Sequence, residues 1–341
     1  MSRKTILLSG YFGFGNCGDE LIYSIEKETL ARLGFSVYAL SENPEERYEF
    51  KRKNLLEVLR AVRASDVVLS GGGGLIQDKT SINSLVYYVF ILFVARLFRK
   101  KTACFAQGIG PLHTKVGMFL TRKVLNKTDF ISVRDDFSVQ ELKKCGVKSK
   151  IYKTADVAFL LEKEKETKLP FERFVLFAPG KALKMPAIET LVEVGKYVEE
   201  KTGLPLLIVP LYPARDGKLC STLSQKLNAP FIVPPSPLHY AYLVGKSDFV
   251  VGMRYHSVVL SALKGKAFTA LVYDPKVKAL ADEFGVKVVE DYGNMDFGTF
   301  KEVFDFNFAR RADIVENLNK KTAELKVRAL QNFVLFEKTF G

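Results

Sequence analysis

The residues best suited to chemistry in this chain are Arg254 and His256, which follow an apolar strand pattern that ends at Gly252. Apolar residues at helical spacing come next and predict a helix that starts at Arg254, which puts both side chains in its first turn. A guanidinium, an imidazole and the positive end of a helix together favour an anion and provide a proton carrier. We therefore expect Arg254 and His256 to act on an anionic substrate that Gly252 and Tyr255 border. The alternative for His256 is ordinary packing.

Two further cations follow predicted strands. Arg134 comes directly after the apolar run 130–133, and Lys181 lies on a short turn after the run 174–178. An arginine at a strand end can hold a carboxylate or a phosphate through two parallel hydrogen bonds. The alternative for Arg134 is a salt bridge to Asp135 or Asp136.

Four consecutive glycines, 71–74, follow another strand pattern. Glycines leave the main chain open to a ligand, so we expect Gly72 and Gly73 to contact substrate, and Gln77 and Asp78 to add hydrogen bonds. A flexible turn is the alternative. The next predicted strand leads to Gln107 and then to His113. We expect both residues to contact substrate. The alternative for His113 is a histidine on a surface loop.

The segment 10–20 joins an N-terminal strand to a helix through a loop with four glycines in nine residues. Its Gly13, Gly15 and Gly18 have the spacing of a dinucleotide fingerprint, but Asp19 follows at once and puts a carboxylate where a pyrophosphate would sit. We therefore predict a strand–loop–helix turn and no NAD site. Gly13, Asn16 and Asp19 are expected to line a substrate site.

The elements that must position these residues alternate between strand and helix patterns, which predicts an α/β fold with parallel sheets. A charged segment, 162–170, interrupts the alternation and is typical of an exposed linker. The predicted strands are 5–9, 36–40, 66–70, 102–106, 130–133 and 150–153, and then 174–178, 205–210, 231–233, 248–251 and 267–272.

This pattern predicts two Rossmann-like domains that face a cleft. We assign 1–162 to an N-terminal domain, 171–308 to a C-terminal domain, and 309–341 to a helix that packs back across both. Ligands of such sheets bind beyond the carboxyl ends of the strands, where all of the residues above are predicted to lie.

The 341 residues carry a formal net charge of +13, which implies an anionic partner: a phosphorylated small molecule, an acidic membrane or nucleic acid. The basic residues do not alternate with aromatic ones as in nucleic-acid-binding proteins, so we expect no nucleic acid. The segment 85–98 is the most apolar, but it is too short to span a bilayer. It predicts a buried helix, or a helix that also touches a membrane through Arg96, Arg99, Lys100 and Lys101.

The four cysteines are far apart, and no signal peptide pattern is present. Both observations favour a cytoplasmic location with reduced thiols. No group of histidines and carboxylates has metal-ligand spacing, so we expect no metal.

Taken in order, the motifs resemble those of the polysaccharide pyruvyl transferase family, most closely its CsaB-type members from bacterial cell walls. The matching stretches are 10–20, 70–78, 106–112, 132–135, 252–256 and 273–276. Tyr255 stands where leucine is usual in the family.

The resemblance implies a fold similar to that of GT-B glycosyltransferases and the transfer of a pyruvyl group from phosphoenolpyruvate (PEP) to a sugar, as a ketal. It implies that Arg134, Arg254 and His256 bind PEP and assist transfer, with PEP as co-substrate and no other cofactor. The implied acceptor is an N-acetylmannosamine unit of a lipid-linked wall-polymer precursor at the inner face of the plasma membrane, and the product anchors surface-layer proteins. Asp19 or Asp78 is the hypothetical base for the sugar hydroxyl.

Two other functions remain open at this point. A glycosyltransferase with a nucleotide-sugar donor would share the fold, because fold does not fix function. A non-catalytic anion-binding module at the membrane would share the charge. The oligomeric state is not predicted.

Overall fold

The computed structural model describes residues 3–79 and 81–341, which form two compact units. The first unit contains the residues up to Phe14, Asp19–Leu161 and Leu325–Gly341. The second contains Gly15–Gly18 and Glu162–Glu324. The fold is α/β with one parallel sheet in each unit, which confirms the predicted class.

The sheet of the first unit has seven strands in the order β3-β2-β1-β4-β5-β6-β7, and all its neighbours are parallel. Its strands are β1 (Thr5–Phe12), β2 (Ser36–Ser41), β3 (Glu49–Lys51), β4 (Val67–Ser70), β5 (Lys101–Gln107), β6 (Phe130–Val133) and β7 (Tyr152–Lys153). Its helices are α1 (Cys17–Arg32), α2 (Leu55–Ala64), α3 (Ile82–Leu97), α4 (Lys115–Leu125) and α5 (Asp136–Lys144).

The sheet of the second unit has five parallel strands in the order β12-β11-β10-β8-β9. They are β8 (Val175–Ala178), β9 (Leu206–Ile208), β10 (Phe249–Gly252), β11 (Phe268–Leu271) and β12 (Val288–Val289). The helices that follow the linker are α6 (Ile188–Thr202), α7 (Pro213–Leu227), α8 (Pro237–Lys246), α9 (Tyr255–Leu263), α10 (Pro275–Glu283), α11 (Phe297–Ala309) and α12 (Arg311–Phe340).

Aromatic side chains fill the space between each sheet and its helices. In the first unit, Phe333 and Phe336 of α12 pack edge-on against Phe105 of β5. In the second unit, Phe304 of α11 packs in the same way against Phe249 of β10. Central strands such as β4 and β10 are buried throughout, which explains why they are continuous apolar runs in the sequence.

The structure corrects several boundaries. The short strands β3 and β12 were not predicted, and the run predicted as strand 231–233 forms a single bridge between Phe231 and Ile208. The predicted final helix 309–339 is two helices, since α11 ends at Ala309 and α12 begins at Arg311. Gly15–Gly18 belongs to the second unit, although the prediction placed it in the first domain.

Helix α3 is only half buried, whereas burial was the main expectation for the segment 85–98. Its inward residues, such as Leu85 and Leu92, are fully buried, but Phe90 and Phe93 are exposed. Among the residues that the structure describes, no helix is long and apolar enough to cross a membrane.

Candidate active site

Arg254 forms a buried ion pair with Asp216 in the second unit. Its Nε donates to Asp216 Oδ2 at 3.0 Å, and its Nη2 donates to Oδ1 at 2.5 Å. Asp216 lies in the first turn of α7 and is completely buried, while 11% of the Arg254 side chain stays exposed. This two-point contact fixes the plane of the guanidinium, so that its exposed part points in one defined direction.

The turn after β8 completes the surroundings of Arg254. Lys181 donates its main-chain N–H to Asp216 at 2.9 Å, and its carbonyl accepts a hydrogen bond from Arg254 at 3.3 Å. The guanidinium also lies 5.6 Å from the ring centroid of Tyr273. Burial alone would lower the pKa of Arg254, but the hydrogen bonds with Asp216 and Tyr273 raise it above its usual value. Arg254 is therefore a permanent cation.

Gly180 and Gly252 allow this packing because a side chain at either position would clash. A Cβ on Gly180 would lie 2.6 Å from Met253 Sδ and 3.1 Å from Arg254 Nε. A Cβ on Gly252 would lie 2.4 Å from Ser257 Oγ. The absence of a side chain at Gly252 thus allows α9 to lie close to the end of β10. Whether Gly252 also contacts substrate stays a prediction.

His256 lies in the first turn of α9, because this helix begins at Tyr255. The predicted strand–helix corner is therefore confirmed to within one residue. The His256 ring is buried and rests on the main chain of Gly18, where an added Cβ would lie 1.9 Å from Nδ1. Gly18 belongs to the same unit, as does Asn16, so the glycine-rich loop brings its second half to the His256 ring.

Basic residues follow three adjacent strands of the second unit, β8, β10 and β11. Arg254 precedes the N-terminus of α9, and the side chain of Lys181 is exposed on the neighbouring turn. Lys276 is buried in the first turn of α10, which Asp274 caps by accepting from its main-chain N–H at 3.1 Å. With Pro275 at the first helical position, the segment 273–276 forms a capping turn. Two helix N-termini and three cations suit an anion with several negative charges.

Arg134 occupies a comparable position in the first unit, after β6. Its Nη1 donates to Asp156 at 2.7 Å, and its Nε lies 3.5 Å from Asp135. The salt bridge to Asp135, which was the alternative for this residue, is therefore present. The Arg134 side chain is 4% exposed and presses on Gly108, where a Cβ would lie 2.7 Å from Nε.

The glycine tract after β4 is explained by close packing against α1. An added Cβ on Gly71 would lie 2.5 Å from Glu26 Oε2, and one on Gly73 would lie 2.8 Å from Asp19 Oδ1. Gly72 donates its N–H to Glu26 Oε1 at 2.7 Å. A flexible turn is excluded, and the tract allows a helix to approach the main chain closely. Contact of Gly72 and Gly73 with substrate stays a prediction.

Glu26 is completely buried beneath this tract. Burial raises its pKa from 4.5 to about 8, although the hydrogen bond from Gly72 opposes the change and Asp156 adds to it. At neutral pH Glu26 is therefore mostly a neutral acid.

Asp78 holds the loop that precedes α4 in place. It accepts hydrogen bonds from the main-chain N–H groups of His113 and Thr114, at 2.7 and 2.8 Å, and from the Thr114 hydroxyl at 2.5 Å. Partial burial would raise the pKa of Asp78, but these hydrogen bonds outweigh it and lower the pKa below its usual value. A carboxylate engaged in this way is a poor proton acceptor, so Asp19 remains the better candidate for the sugar base.

Two more residues of the first unit that were predicted to contact substrate, Gln107 and Gly13, form hydrogen bonds within the protein. Gln107 is buried and donates to Ser70 Oγ at 3.0 Å and to the Gly71 carbonyl. Gly13 has a φ of +79° and accepts from Asn43 at 2.9 Å. His113 is exposed and Gln77 is half-buried.

An aromatic cluster around Arg52 was not predicted. The Arg52 guanidinium lies 5.0 Å from the ring centroid of Phe14 and 4.5 Å from that of Tyr87, and it donates to the Gly10 carbonyl at 2.9 Å. Tyr11 and Phe14 stack with ring centroids 4.0 Å apart, and both residues are half-buried. The pair lies at the carboxyl end of β1.

The sequence offered only weak signals for the residues that were missed. Asp216 and Asp156 are single acidic residues in ordinary surroundings, and Glu26 lies within an amphipathic helix pattern. Their importance arises from burial and from partners that are distant along the chain. In the described part of the chain, no three His, Cys, Asp or Glu side chains are grouped as metal ligands would be.

Comparison with known proteins gives a family and a fold. The family model described as polysaccharide pyruvyl transferase matches residues 16–275. A search of curated proteins gave no match.

Solved structures match over nearly the whole chain. Os79 from O. sativa, in complex with U2F and trichothecene, has a TM-score of 0.65 at 12% identity and covers 99% of this chain and 100% of its own. UDP-GlcNAc 2-epimerase from Neisseria meningitidis, bound to UDP-GlcNAc, has a TM-score of 0.58 at 12% identity, with 98% of both chains covered. Anabaena HepE, in complex with UDP and glucose, has a TM-score of 0.56 at 13% identity, with 99% of both covered. At these identities the matches show the fold alone, and they confirm that it is like that of GT-B glycosyltransferases.

Proposed function

The chain belongs to the polysaccharide pyruvyl transferase family, and from this membership we propose that it transfers the pyruvyl group of PEP to a sugar and forms a pyruvate ketal. The main support for PEP as the donor is the strand–helix corner at the start of α9, where Arg254 and His256 lie. A buried, permanently charged guanidinium, two helix N-termini and an imidazole in one unit suit a small, highly charged phosphate ester that must also be protonated.

The proposed donor site lies in the second unit. PEP carries a phosphate and a carboxylate, and burying them requires fixed positive charge. Arg254 supplies the fixed guanidinium, and Lys181 and Lys276 lie on the two neighbouring turns. By the family resemblance Arg134 also contacts PEP, although its two carboxylate neighbours make its surroundings less favourable for an anion than those of Arg254.

The proposed reaction begins when His256 gives a proton to the methylene carbon of PEP. The adjacent carbon then becomes an oxocarbenium-like centre, and a sugar hydroxyl attacks it. A second hydroxyl displaces phosphate and closes the ketal. Each hydroxyl loses its proton as it attacks: one proton restores His256, and the other goes to the phosphate or to a carboxylate of the acceptor side.

The proposed acceptor side lies in the first unit. Asp19, next to Gly73, is the candidate to orient or deprotonate a hydroxyl. The stacked pair of Tyr11 and Phe14 offers a flat surface on which the apolar face of a sugar ring can pack. As a CsaB-type acceptor we propose an N-acetylmannosamine unit of a lipid-linked wall-polymer precursor, at the inner face of the plasma membrane, whose ketal would anchor surface-layer proteins.

The direct test is to incubate the protein with PEP and a panel of synthetic amino-sugar glycosides. We expect one acceptor to gain the mass of a pyruvate ketal while inorganic phosphate is released in equal amount. A parallel panel with UDP-sugars tests the nucleotide-sugar alternative, since UDP is bound in HepE. Glycosyl transfer from a UDP-sugar without any reaction of PEP would overturn the proposed donor.

His113→Ala and His239→Ala serve as matched controls for this assay. The chain has three histidines, and only His256 lies at the proposed donor site. His239 is occupied by a hydrogen bond with Ser236 at 2.8 Å, and His113 is exposed in the first unit. Both control variants should retain activity.

A further inference from the structure

The outward side of helix α3 is apolar, which is the reverse of an ordinary surface helix. Its exposed side chains are Val86 (39%), Phe90 (43%), Phe93 (46%) and Leu97 (66%). Their spacing of three or four residues puts them in one stripe along the helix. A helix at a protein surface normally carries charged or polar residues on this side.

Helix α4 packs beside α3 and extends the stripe. Its Val116 and Phe119 are 59% and 48% exposed. Both helices connect parallel strands in the same direction along the sheet, from β4 to β5 and from β5 to β6, so right-handed crossovers place them in one layer. The outward sides of the two helices therefore form one surface, which we call the α3–α4 face.

The stretch of sequence that contains the α3–α4 face is rich in basic residues and has no acidic ones. Between Asp78 and Asp129 the chain contains no acidic residue. The same stretch contains nine basic residues: Lys79, Arg96, Arg99, Lys100, Lys101, Lys115, Arg122, Lys123 and Lys127. Much of the net charge of +13 is thus concentrated in one part of one unit.

The basic side chains lie close to the apolar ones. On α4, Arg122 and Lys123 lie 5.7 and 5.5 Å from the ring centroid of Phe119. At the end of α3, Lys100 donates to the Arg63 carbonyl at 2.8 Å, and Arg63 lies 4.8 Å from the ring of Phe98. Long basic side chains beside exposed aromatic rings are suited to the boundary between lipid headgroups and acyl chains.

We propose that the α3–α4 face docks on the surface of an anionic lipid bilayer. Phe90, Phe93, Leu97 and Phe119 enter the headgroup region, and the surrounding lysines and arginines contact the lipid phosphates. The protein then lies on the membrane without crossing it, in keeping with the absence of a spanning helix among the described residues.

Charge complementarity favours a bilayer over a second copy of this chain. Lys101 is paired with Asp129 at 3.1 Å, but if two α3–α4 faces met, the other eight cations of the segment would oppose like charges. An anionic bilayer supplies the opposite charge and also takes up the apolar stripe. This inference does not depend on the proposed reaction, because its test requires neither donor nor acceptor.

The test is co-sedimentation of the full chain with vesicles made of equal parts phosphatidylglycerol and phosphatidylcholine, and with vesicles of phosphatidylcholine alone. We expect binding to the anionic vesicles that weakens as sodium chloride rises. The variant Phe90→Glu/Phe93→Glu should bind at least about tenfold more weakly, because it removes apolar area and adds repulsion. Leu330→Glu in α12 is the matched control, since Leu330 is 51% exposed outside the face, and it should bind as wild type.

A second set of variants tests the charge. Arg99→Gln, Lys115→Gln and Lys123→Gln, combined, should weaken binding by about fivefold for each cation removed. The control removes three exposed lysines of α12, by Lys320→Gln, Lys326→Gln and Lys338→Gln, and has the same net charge. Equal losses in both sets would overturn the α3–α4 face as the docking surface and leave only a net-charge effect.

Three other outcomes would also overturn the proposal. They are equal binding to neutral and anionic vesicles, an unchanged affinity of Phe90→Glu/Phe93→Glu, and no vesicle binding by wild type. If wild type does not bind vesicles, sedimentation velocity tests whether a second copy of the chain covers the α3–α4 face. A wild-type dimer that dissociates in Phe90→Glu/Phe93→Glu would assign the face to a second copy. Circular dichroism of each variant verifies folding.

Discussion

Each unit places an arginine after an interior strand, pairs it with a distant aspartate and presses it against a glycine that follows the neighbouring strand. Arg134 after β6 pairs with Asp156 and rests on Gly108. Arg254 after β10 pairs with Asp216 and, in the same way, approaches a glycine after β8. The shared arrangement shows how a parallel sheet holds a buried cation at its carboxyl edge.

The surroundings of the two arginines differ. Arg134 has two aspartates beside it and a side chain that is 4% exposed. Arg254 has one aspartate, and 11% of its side chain is exposed. Near Arg254 lie a histidine and two helix N-termini, whereas the first unit buries a neutral acid, Glu26, under its glycine tract. The second unit is therefore better suited to bind an anion, as the proposed donor side requires.

The largest expected effect concerns His256. If it protonates PEP, His256→Gln should lower turnover by about 10²–10⁴-fold, the usual contribution of a general acid, because glutamine can hydrogen-bond but cannot give up a proton. PEP affinity should change much less, since the cations remain. The measurement is turnover at saturating PEP together with the PEP dissociation constant. Near-normal turnover in His256→Gln would make the histidine a binding residue and move the proton donor elsewhere.

The strand–helix corners were predictable because they depend on local sequence. The strand–helix corner at Gly252, the exposed linker 162–170 and the alternation of elements follow from apolar periodicity and from glycine at turns. These features depend on residues that are close together along the chain, and all of them are present in the structure.

The partners of the charged residues were not predictable, since they depend on contacts between distant segments. Asp216 lies 38 residues from Arg254, and Asp156 lies 22 residues from Arg134. For the same reason the packing of the glycine tract 71–74 was not predicted, because its partner, α1, is more than 40 residues earlier in the chain, as the hydrogen bond between Gly72 and Glu26 shows. A single sequence shows that a glycine is needed but not which atom approaches it.

The second prediction uses the buried acid of the first unit. In the unfolded chain Glu26 ionises near pH 4.5, whereas in the folded protein it keeps its proton to about pH 8. Between these values the folded state binds more protons, so the free energy of unfolding should fall as pH rises, by about 5 kcal/mol over the whole interval. Glu26→Gln should remove this decline, since its amide oxygen can still accept from Gly72.

Urea unfolding of wild type and Glu26→Gln between pH 5 and pH 9 is the measurement. The variant should gain stability relative to wild type as pH rises. A parallel pH dependence in the two proteins would show that Glu26 is ionised in the folded state. Asp216 of the second unit provides the contrast: it is equally buried, but it is paired with Arg254.

The third prediction tests the two arginines directly through matched double variants. Arg254→Gln/Asp216→Asn and Arg134→Gln/Asp156→Asn each replace a buried ion pair with two amides, without leaving an unpaired buried charge. The first should weaken PEP binding about 10- to 100-fold, the contribution of hydrogen bonds to a charged group. The second should weaken it less and mainly alter stability.

Isothermal titration with PEP and thermal unfolding, measured on both double variants, separate these effects. Arg173→Ala is a control for the second unit, because Arg173 donates two hydrogen bonds to Asp248 Oδ1 at the surface. An equal or larger loss of PEP affinity in the Arg134 variant would show that both units contribute equally to the donor site.

The smallest effect is expected at the aromatic surface of the first unit. Phe14→Ala removes one ring of the pair that stacks at 4.0 Å, so the KM for the sugar acceptor should rise roughly three- to tenfold, the value of one aromatic contact. The dissociation constant for PEP should stay unchanged, because the ring lies in the other unit. Tyr48→Ala is the matched control, since Tyr48 stacks on Tyr38 in the same unit at 5.3 Å and away from β1's carboxyl end. A rise in KM of the same size for Tyr48→Ala would mean that the loss of any stacked pair disturbs the first unit, whereas weaker PEP binding in Phe14→Ala would contradict the assignment of donor and acceptor to separate units.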